Sequence, residues 1–354
     1  MDTKELYNSA INLLMKLISI PSMSKEEDKT ATCIGEWFGS MNIPFHRSQN
    51  NIWCTDKYFD SSKPTILLNS HHDTVKPNQG YTKDPFNPEI ADGKLYGLGS
   101  NDAGASLVSL MATFNHFYAR KELKYNLVIA ATAEEENSGP NGLVSLKNEL
   151  PSIDFAIVGE PTGMHLAIAE KGLLVIDGIA KGTAGHSAHP NDDNAIYNAL
   201  KDIQWIEQYQ FPKVSDLLGP VKMTVTQINA GQQHNVVPDN CQFVVDVRVN
   251  ECYSNEEVFD IINKNTKSEM AARSFRLNSS SIPVDHPFVQ AGVKLGRQTY
   301  GSPTLSDQAI LTCPSVKLGP GDSTRSHQAD EYIYLNEVEE GIGLYIKMLN
   351  EIIK

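Results

Sequence analysis

Apolar residues at Leu6, Ala10, Leu13, Leu14, Leu17 and Ile18 recur with a helical period, and Pro21 closes that stretch. A second helix is expected over Glu26 to Met41. Short apolar runs then alternate with helical ones: Thr65-Ile66-Leu67-Leu68 reads as a strand and Ala105 to Arg120 as a helix. Tyr125 to Thr132 follows as a strand, Gly142 to Glu149 as a short helix, and Asp154 to Val158 as another strand. Runs of this kind, apolar at nearly every position and separated by helices, predict an α/β layer with a buried, mostly parallel sheet flanked by helices.

Beyond Glu170 the texture changes. Leu173 to Ile179, Val221 to Ile228 and Gln242 to Val249 are β-rich with partial alternation, and helical stretches lie near Ala195-Gln208 and Glu256-Lys267. This is the pattern of a small α+β domain with two helices on one face of an antiparallel sheet. From Asp285 the α/β character resumes and ends in an amphipathic helix, Asn336 to Ile353. The smaller domain is therefore expected as an insertion at 171–281, with residues 1–170 and 282–354 forming the outer domain.

Composition narrows the function. Hydrophobic residues make up 40% of the 354 and charged residues 21%, enough for a packed core. The formal net charge of -13 argues against nucleic acid as a partner, because that needs a basic footprint. No apolar run reaches bilayer length, so no membrane partner is expected. The five cysteines form no Cys-x-x-Cys, and the opening Met1-Asp2-Thr3-Lys4-Glu5 carries no secretory pattern. Reduced thiols in a cytoplasmic protein are the expectation.

The chemistry gathers where strands end. Glu134-Glu135-Glu136 follows the apolar run Leu127-Val128-Ile129-Ala130-Ala131, and carboxylates this close at the edge of a core call for a compensating positive charge. The first strand runs into Ser70-His71-His72-Asp73-Thr74, with His71 and Asp73 on one face and His72 on the other. A metal-binding histidine commonly gives its second ring N–H to a carboxylate, and Asp73 is placed for that. Asp102 sits in the small-residue loop Gly97-Leu98-Gly99-Ser100-Asn101-Asp102-Ala103-Gly104. Glu160 ends the strand at Val158, and His327 follows the glycine-rich Gly319-Pro320-Gly321-Asp322. Imidazole and carboxylate donors without thiolates suit a pair of zinc ions or a related divalent metal.

The order His-x-Asp, Gly-x-x-x-Asp, Thr-Ala-Glu-Glu-Glu, Gly-Glu-Pro-Thr and a late Gly-Pro-Gly…His-Gln resembles one family along almost the whole chain. It is the family of acetylornithine deacetylase, succinyl-diaminopimelate desuccinylase, carboxypeptidase G and aminoacylase, hydrolases with two metal ions. The resemblance implies that Asp102 bridges the ions, zinc first and cobalt as the alternative. His71 and Glu160 would complete one ion's ligands, and Glu136 and His327 the other's. Glu135 matches the general base and Asp73 the carboxylate behind His71, while Glu134 is expected as a surface or supporting residue.

In Gly182-Thr183-Ala184-Gly185-His186-Ser187-Ala188-His189-Pro190, His186 matches a histidine that reaches across a homodimer to steady the oxyanion. His72, His189 and His234 are expected to be structural or solvent-facing. Asn235 and Arg248 match substrate-contacting positions, with pairing of Arg248 to a neighbouring acid as the alternative. Leu98 and Gly104 stand where relatives often carry Arg and Lys, which bears on substrate subclass rather than on the ligands.

The implied reaction is hydrolysis of the amide of a small-molecule N-acyl amino acid. N-acetylornithine is the first choice, placing the chain in arginine biosynthesis. N-succinyl-diaminopimelate or a dipeptide is the alternative within the family. A catalytically dead binding domain is the alternative outside it, and the presence of all five expected ligands and the base speaks against that.

Overall fold

The computed structural model describes residues 3–354. Strands Thr65–His71, Asn126–Thr132 and Phe155–Val158 are buried at every residue, so the sheet they form is covered on both faces. They run parallel, with Leu68 opposite Ile129 on one side and Ile157 on the other. Ser315–Lys317 adds a fourth parallel strand beside Phe155–Val158. Antiparallel neighbours flank these four: Asn51–Thr55 lies on Asn126–Thr132, and Leu166–Glu170 on Ser315–Lys317.

The period-2 rule sorts the strand side chains into two cores. Ile66, Leu68, Leu127, Ile129, Phe155 and Ile157 pack in one cluster with residues of helices Thr3–Ile18, Asp28–Ser40, Ala105–Phe117 and Leu335–Ile353. Leu67, Val128, Ala130 and Ala156 face the other way, onto Trp53, Leu143 and Leu146. The expected helix at Gly142 to Glu149 is a short 3-10 segment, Leu143–Asn148, that supplies two of those residues. No helix among the described residues is long and apolar enough to cross a membrane.

The chain divides into two compact units. One comprises the segments up to Ile168, Ser281–Tyr300 and Ser306–Lys354; the other comprises Ala169–Ser280 and Gly301–Leu305. The second unit is a four-stranded antiparallel sheet in the order Lys222–Ala230, Asn240–Val249, Gly172–Lys181, Glu269–Ala272. Gly172–Lys181 alternates between buried and half-buried positions, and the buried face packs on helices Ala195–Gln208 and Asn255–Asn265. Lys222–Ala230 is an edge strand, mostly exposed.

Candidate metal centre

Each acidic or imidazole group of interest in the first unit leaves the carboxyl end of a parallel strand or a loop beside it, where crevices form in open α/β sheets. His71 is the last residue of its strand, Glu135 and Glu136 follow Asn126–Thr132, and Glu160 follows Phe155–Val158. Asp102 lies in the loop that opens into helix Ala105–Phe117, and its peptide bond to Ala103 is cis. Gly104 closes this loop tightly, since a Cβ there would stand 2.4 Å from the Gly99 carbonyl oxygen. Leu98 is buried beside it.

Asp102 stands between the two histidines. Its Oδ1 is 3.5 Å from His71 Nε2, and its Oδ2 is 3.6 Å from His327 Nε2. Glu160 Oε1 approaches His71 Nε2 at 3.6 Å, while Glu136 Oε2 lies 3.1 Å from His327 Nε2. Glu135 Oε2 is 4.0 Å from His71 Nε2. Donor atoms of His71, Asp102 and Glu136 lie within 4.8 Å of one another, and so do those of His71, Glu135 and Glu160.

His71 is buried, and its Nε2 has no hydrogen-bond partner although it is enclosed by carboxylates. Its Nδ1 is 3.0 Å from the Asp73 carbonyl oxygen and 3.4 Å from Asp73 Oδ1. An orphaned imidazole nitrogen aimed into a carboxylate cluster is the arrangement a hard or borderline divalent cation satisfies, so these residues fit a metal pair.

The electrostatics of the metal-free cluster show the same demand. Burial pushes the Glu160 carboxyl up to about 8, with Asp102 and Glu136 adding to it while His71 and Lys317 pull it back. Burial also raises Glu135 well above the ordinary carboxylate range, with help from Glu160, Asp307 and Glu136 against the opposing His71. The hydrogen bond to Glu136 and the nearby acids raise His327 to about 9 against partial burial. Burial alone would lower His71, but Asp102, Asp73, Glu135 and Glu160 together raise it.

The supporting residues are each held by hydrogen bonds of their own. Asp73 bonds less with His71 than with the acidic loop: its Oδ1 accepts the Glu135 N–H at 3.1 Å and its Oδ2 the Glu136 N–H at 3.2 Å. Glu134 is not at the surface. It is 5% exposed, has a positive φ of 54°, and its carboxylate accepts the Asn141 N–H and side-chain amide at 3.2 and 2.9 Å. His72 is a satisfied core histidine, bonded to Thr30 Oγ1 and the Asn50 carbonyl, and burial lowers it to about 4.

Three buried carboxylates near the site carried no signal in the sequence. Glu27 accepts the N–H groups of Lys25 and Glu134 and the Asn50 amide. Asp307 accepts Thr132 Oγ1 at 2.8 Å and is pushed by burial to about 6. Glu331 accepts three main-chain N–H groups of the Asp102 loop.

His186, Asn235 and Arg248 lie in the second unit. His186 is exposed on the two-residue strand Gly185–His186, paired with Val236–Val237, and its Nδ1 accepts the Ala188 N–H. The Asn235 carbonyl accepts the Ser187 N–H at 3.0 Å. His189 and His234 are exposed. Arg248 forms a two-pronged pair with Asp246 at 2.8 and 3.1 Å. That pairing corresponds to the alternative expected for Arg248, a neighbouring acid on its own strand.

The first unit is thus a mixed sheet flanked by helices, with acids and histidines that could hold metal gathered at the carboxyl edge of its parallel strands. Residues 67–351 match the model of peptidase family M20/M25/M40, and the chain belongs to that family. Among curated relatives, acetylornithine deacetylase of Proteus mirabilis is 27% identical over 363 residues, covering 93% of each chain. Succinyl-diaminopimelate desuccinylase 2 of Ruegeria sp. is 23% identical over 377 residues, covering 96% of this chain and 94% of the relative. A solved dinuclear metal-binding M20 peptidase of Bacillus subtilis superposes with a TM-score of 0.73 at 17% identity, covering 98% of both chains.

Proposed function

We propose that this chain hydrolyses the amide bond of an N-acyl amino acid at a pair of divalent ions, with N-acetylornithine as its first substrate and the succinyl analogue next. The single observation that carries the reading is Asp102, whose two oxygens face two different histidines, each with its own acidic neighbour. In this assignment His71 and Glu160 would hold one divalent ion, zinc by preference, Glu136 and His327 would hold the other, and Asp102 would serve both. Ions held there supply Lewis acidity toward the amide carbonyl and make water a stronger acid.

Glu135 supplies the proton transfer. It stands beside His71 without the short pairing that Glu136 makes with His327, so its carboxylate is free to take a proton from water as the C–O bond forms. It then delivers that proton to the amine nitrogen as the C–N bond breaks. Asp73 holds the Glu135 main chain in place. His186, exposed on its strand, is assigned to oxyanion stabilisation in the partner subunit of a homodimer, and Asn235 to substrate contact. Support for these two roles is the family resemblance of the Gly-His-Ser and Asn-Val-Val segments, and the exposed edge strand Lys222–Ala230 supports a dimer.

Acetylornithine is preferred because the Gly319 to Asp330 segment and the chain length resemble the deacetylases, and one such enzyme aligns over nearly the whole chain. The test is a substrate panel with defined zinc or cobalt loading: N-acetylornithine, N-succinylornithine, N-succinyl-diaminopimelate and a dipeptide set. Highest kcat/KM on N-acetylornithine or its succinyl analogue supports the assignment, and highest kcat/KM on dipeptides replaces it with a peptidase.

A further inference from the structure

Glu331 is 2% exposed and has no place in the hydrolytic scheme, yet both of its carboxylate oxygens are engaged by one loop. Oε2 accepts the Gly99 N–H at 3.2 Å, and Oε1 accepts the N–H groups of Asn101 and Asp102 at 2.8 and 2.9 Å. The Glu331 carbonyl takes a further N–H, from Gly97, at 3.0 Å. Three neighbouring amides pointed at one buried carboxyl group make a clamp on the segment that carries Asp102.

The same loop is tied a second time to the segment carrying His327. Asn101, fully buried, gives its side-chain N–H to the Asp322 carbonyl at 3.0 Å and accepts the Asp322 N–H at 3.0 Å. Gly321 leaves room for this contact: its φ is 95° and a Cβ would stand 2.5 Å from Asn101 Oδ1. His327 therefore lies on a stretch fixed to the Asp102 loop on both sides, at Asp322 and at Glu331. Between the two ties, Asp102 Oδ2 and His327 Nε2 are set 3.6 Å apart.

We infer that Glu331 is a positioning residue that locks the Asp102 loop to the His327 segment and so presets the spacing of the two metal subsites, with Asn101 as the second tie. The inference rests on Asp102 being a shared metal ligand. A ligand whose backbone is fixed before the ions arrive has less freedom to lose on binding them. The backbone at Asp102 (φ -117°, ψ 100°) and Ala103 (φ -117°, ψ 30°) is non-helical inside a helical entry, and the clamp holds it there.

The test is zinc binding by calorimetry on the full chain, paired with steady-state kinetics and thermal melting. Glu331→Gln turns an amide N–H toward one of the clamped N–H groups, and Asn101→Ser removes the second tie without burying a charge. Each is expected to weaken zinc binding by about 10–100-fold and to lower kcat with little change in KM. The matched control is Asp202→Asn in the other unit. Asp202 is likewise a buried carboxylate, accepting the N–H groups of Lys267 and Ser268, and the variant should lower Tm while leaving zinc affinity and kcat unchanged.

Wild-type zinc affinity in both Glu331→Gln and Asn101→Ser would overturn the inference, and so would an equal loss in Asp202→Asn. If Glu331→Gln does not fold, Asn101→Ser alone decides by the same criterion. A wild-type chain that binds no zinc would instead refute the metal-site assignment beneath it.

Discussion

Asp73 holds Glu135 by its main chain: Asp73 Oδ1 accepts the Glu135 N–H at 3.1 Å, and the other oxygen accepts the Glu136 N–H at 3.2 Å and Ser24 Oγ at 2.7 Å. The loop bearing the proposed base and one proposed ligand is thus anchored just beyond the strand end that presents His71. Asp73→Asn places an amide N–H against one of these N–H groups and misaims both glutamates. The expected outcome is about a 10–100-fold loss of kcat with KM changed far less, measured by steady-state kinetics at saturating zinc.

Glu135 crowds other acids without pairing closely to either histidine, so its removal should relieve repulsion rather than open the site. Glu135→Gln is expected to keep its zinc and to melt no lower than the wild type. Turnover should fall by at least about 10²–10⁴-fold. Retention of near wild-type activity, with zinc content checked by elemental analysis, would remove Glu135 from the base role.

The metal-free protein should lose stability as pH rises. Burial lets folded Glu160 keep its proton up to about 8, whereas the unfolded chain releases it near 4.5, so stability falls between those values. Glu136 raises His327 to about 9 from 6.5, so the stability from its charged form, full below 6.5, is lost as pH climbs through 9. Both shifts have the same sign. Zinc requires both groups deprotonated, so the Tm increment that zinc confers should grow from about pH 5.5 to about pH 8. Melting with and without zinc across that range checks it, and an increment that shrinks with pH would contradict the assignment.

If His186 acts in the partner's site, two inactive variants should complement each other. Mixing His186→Ala with Glu135→Ala chains under conditions that allow subunit exchange should restore up to about a quarter of wild-type activity, because random pairing makes half the dimers mixed and each mixed dimer holds one complete site of two. Exchange verified by native mass spectrometry with no recovered activity would place His186 outside a shared site.

Much of the sheet was legible because its central strands are apolar at almost every position, and burial on both faces leaves no other reading of Leu127 to Ala131. His71, Glu135, Glu136 and Glu160 were legible for the same reason, since they end or follow such runs, whereas Asp102 and His327 sit in loops and were read from the glycine-rich motifs around them. The three-stranded sheet of Glu89–Ala91, Lys94–Tyr96 and Tyr332–Tyr334 was not, because three-residue strands are shorter than any readable period. Glu331 was hidden by distance: its donors lie 229 to 232 residues earlier in the chain, and only the fold brings them to it. Arg248 shows the opposite case. Asp246 sits two residues away on the same strand face, so the pair that satisfies Arg248 could be read locally.

The central claim is that Asp102 is shared by two ions, and counting ions tests it most directly. Calorimetric zinc titration of the metal-free wild type should show two ions per chain, and Asp102→Ala should bind neither with comparable affinity because both subsites lose a ligand. Two ions bound with unchanged affinity by Asp102→Ala, or no saturable zinc binding by the wild type, would contradict the account.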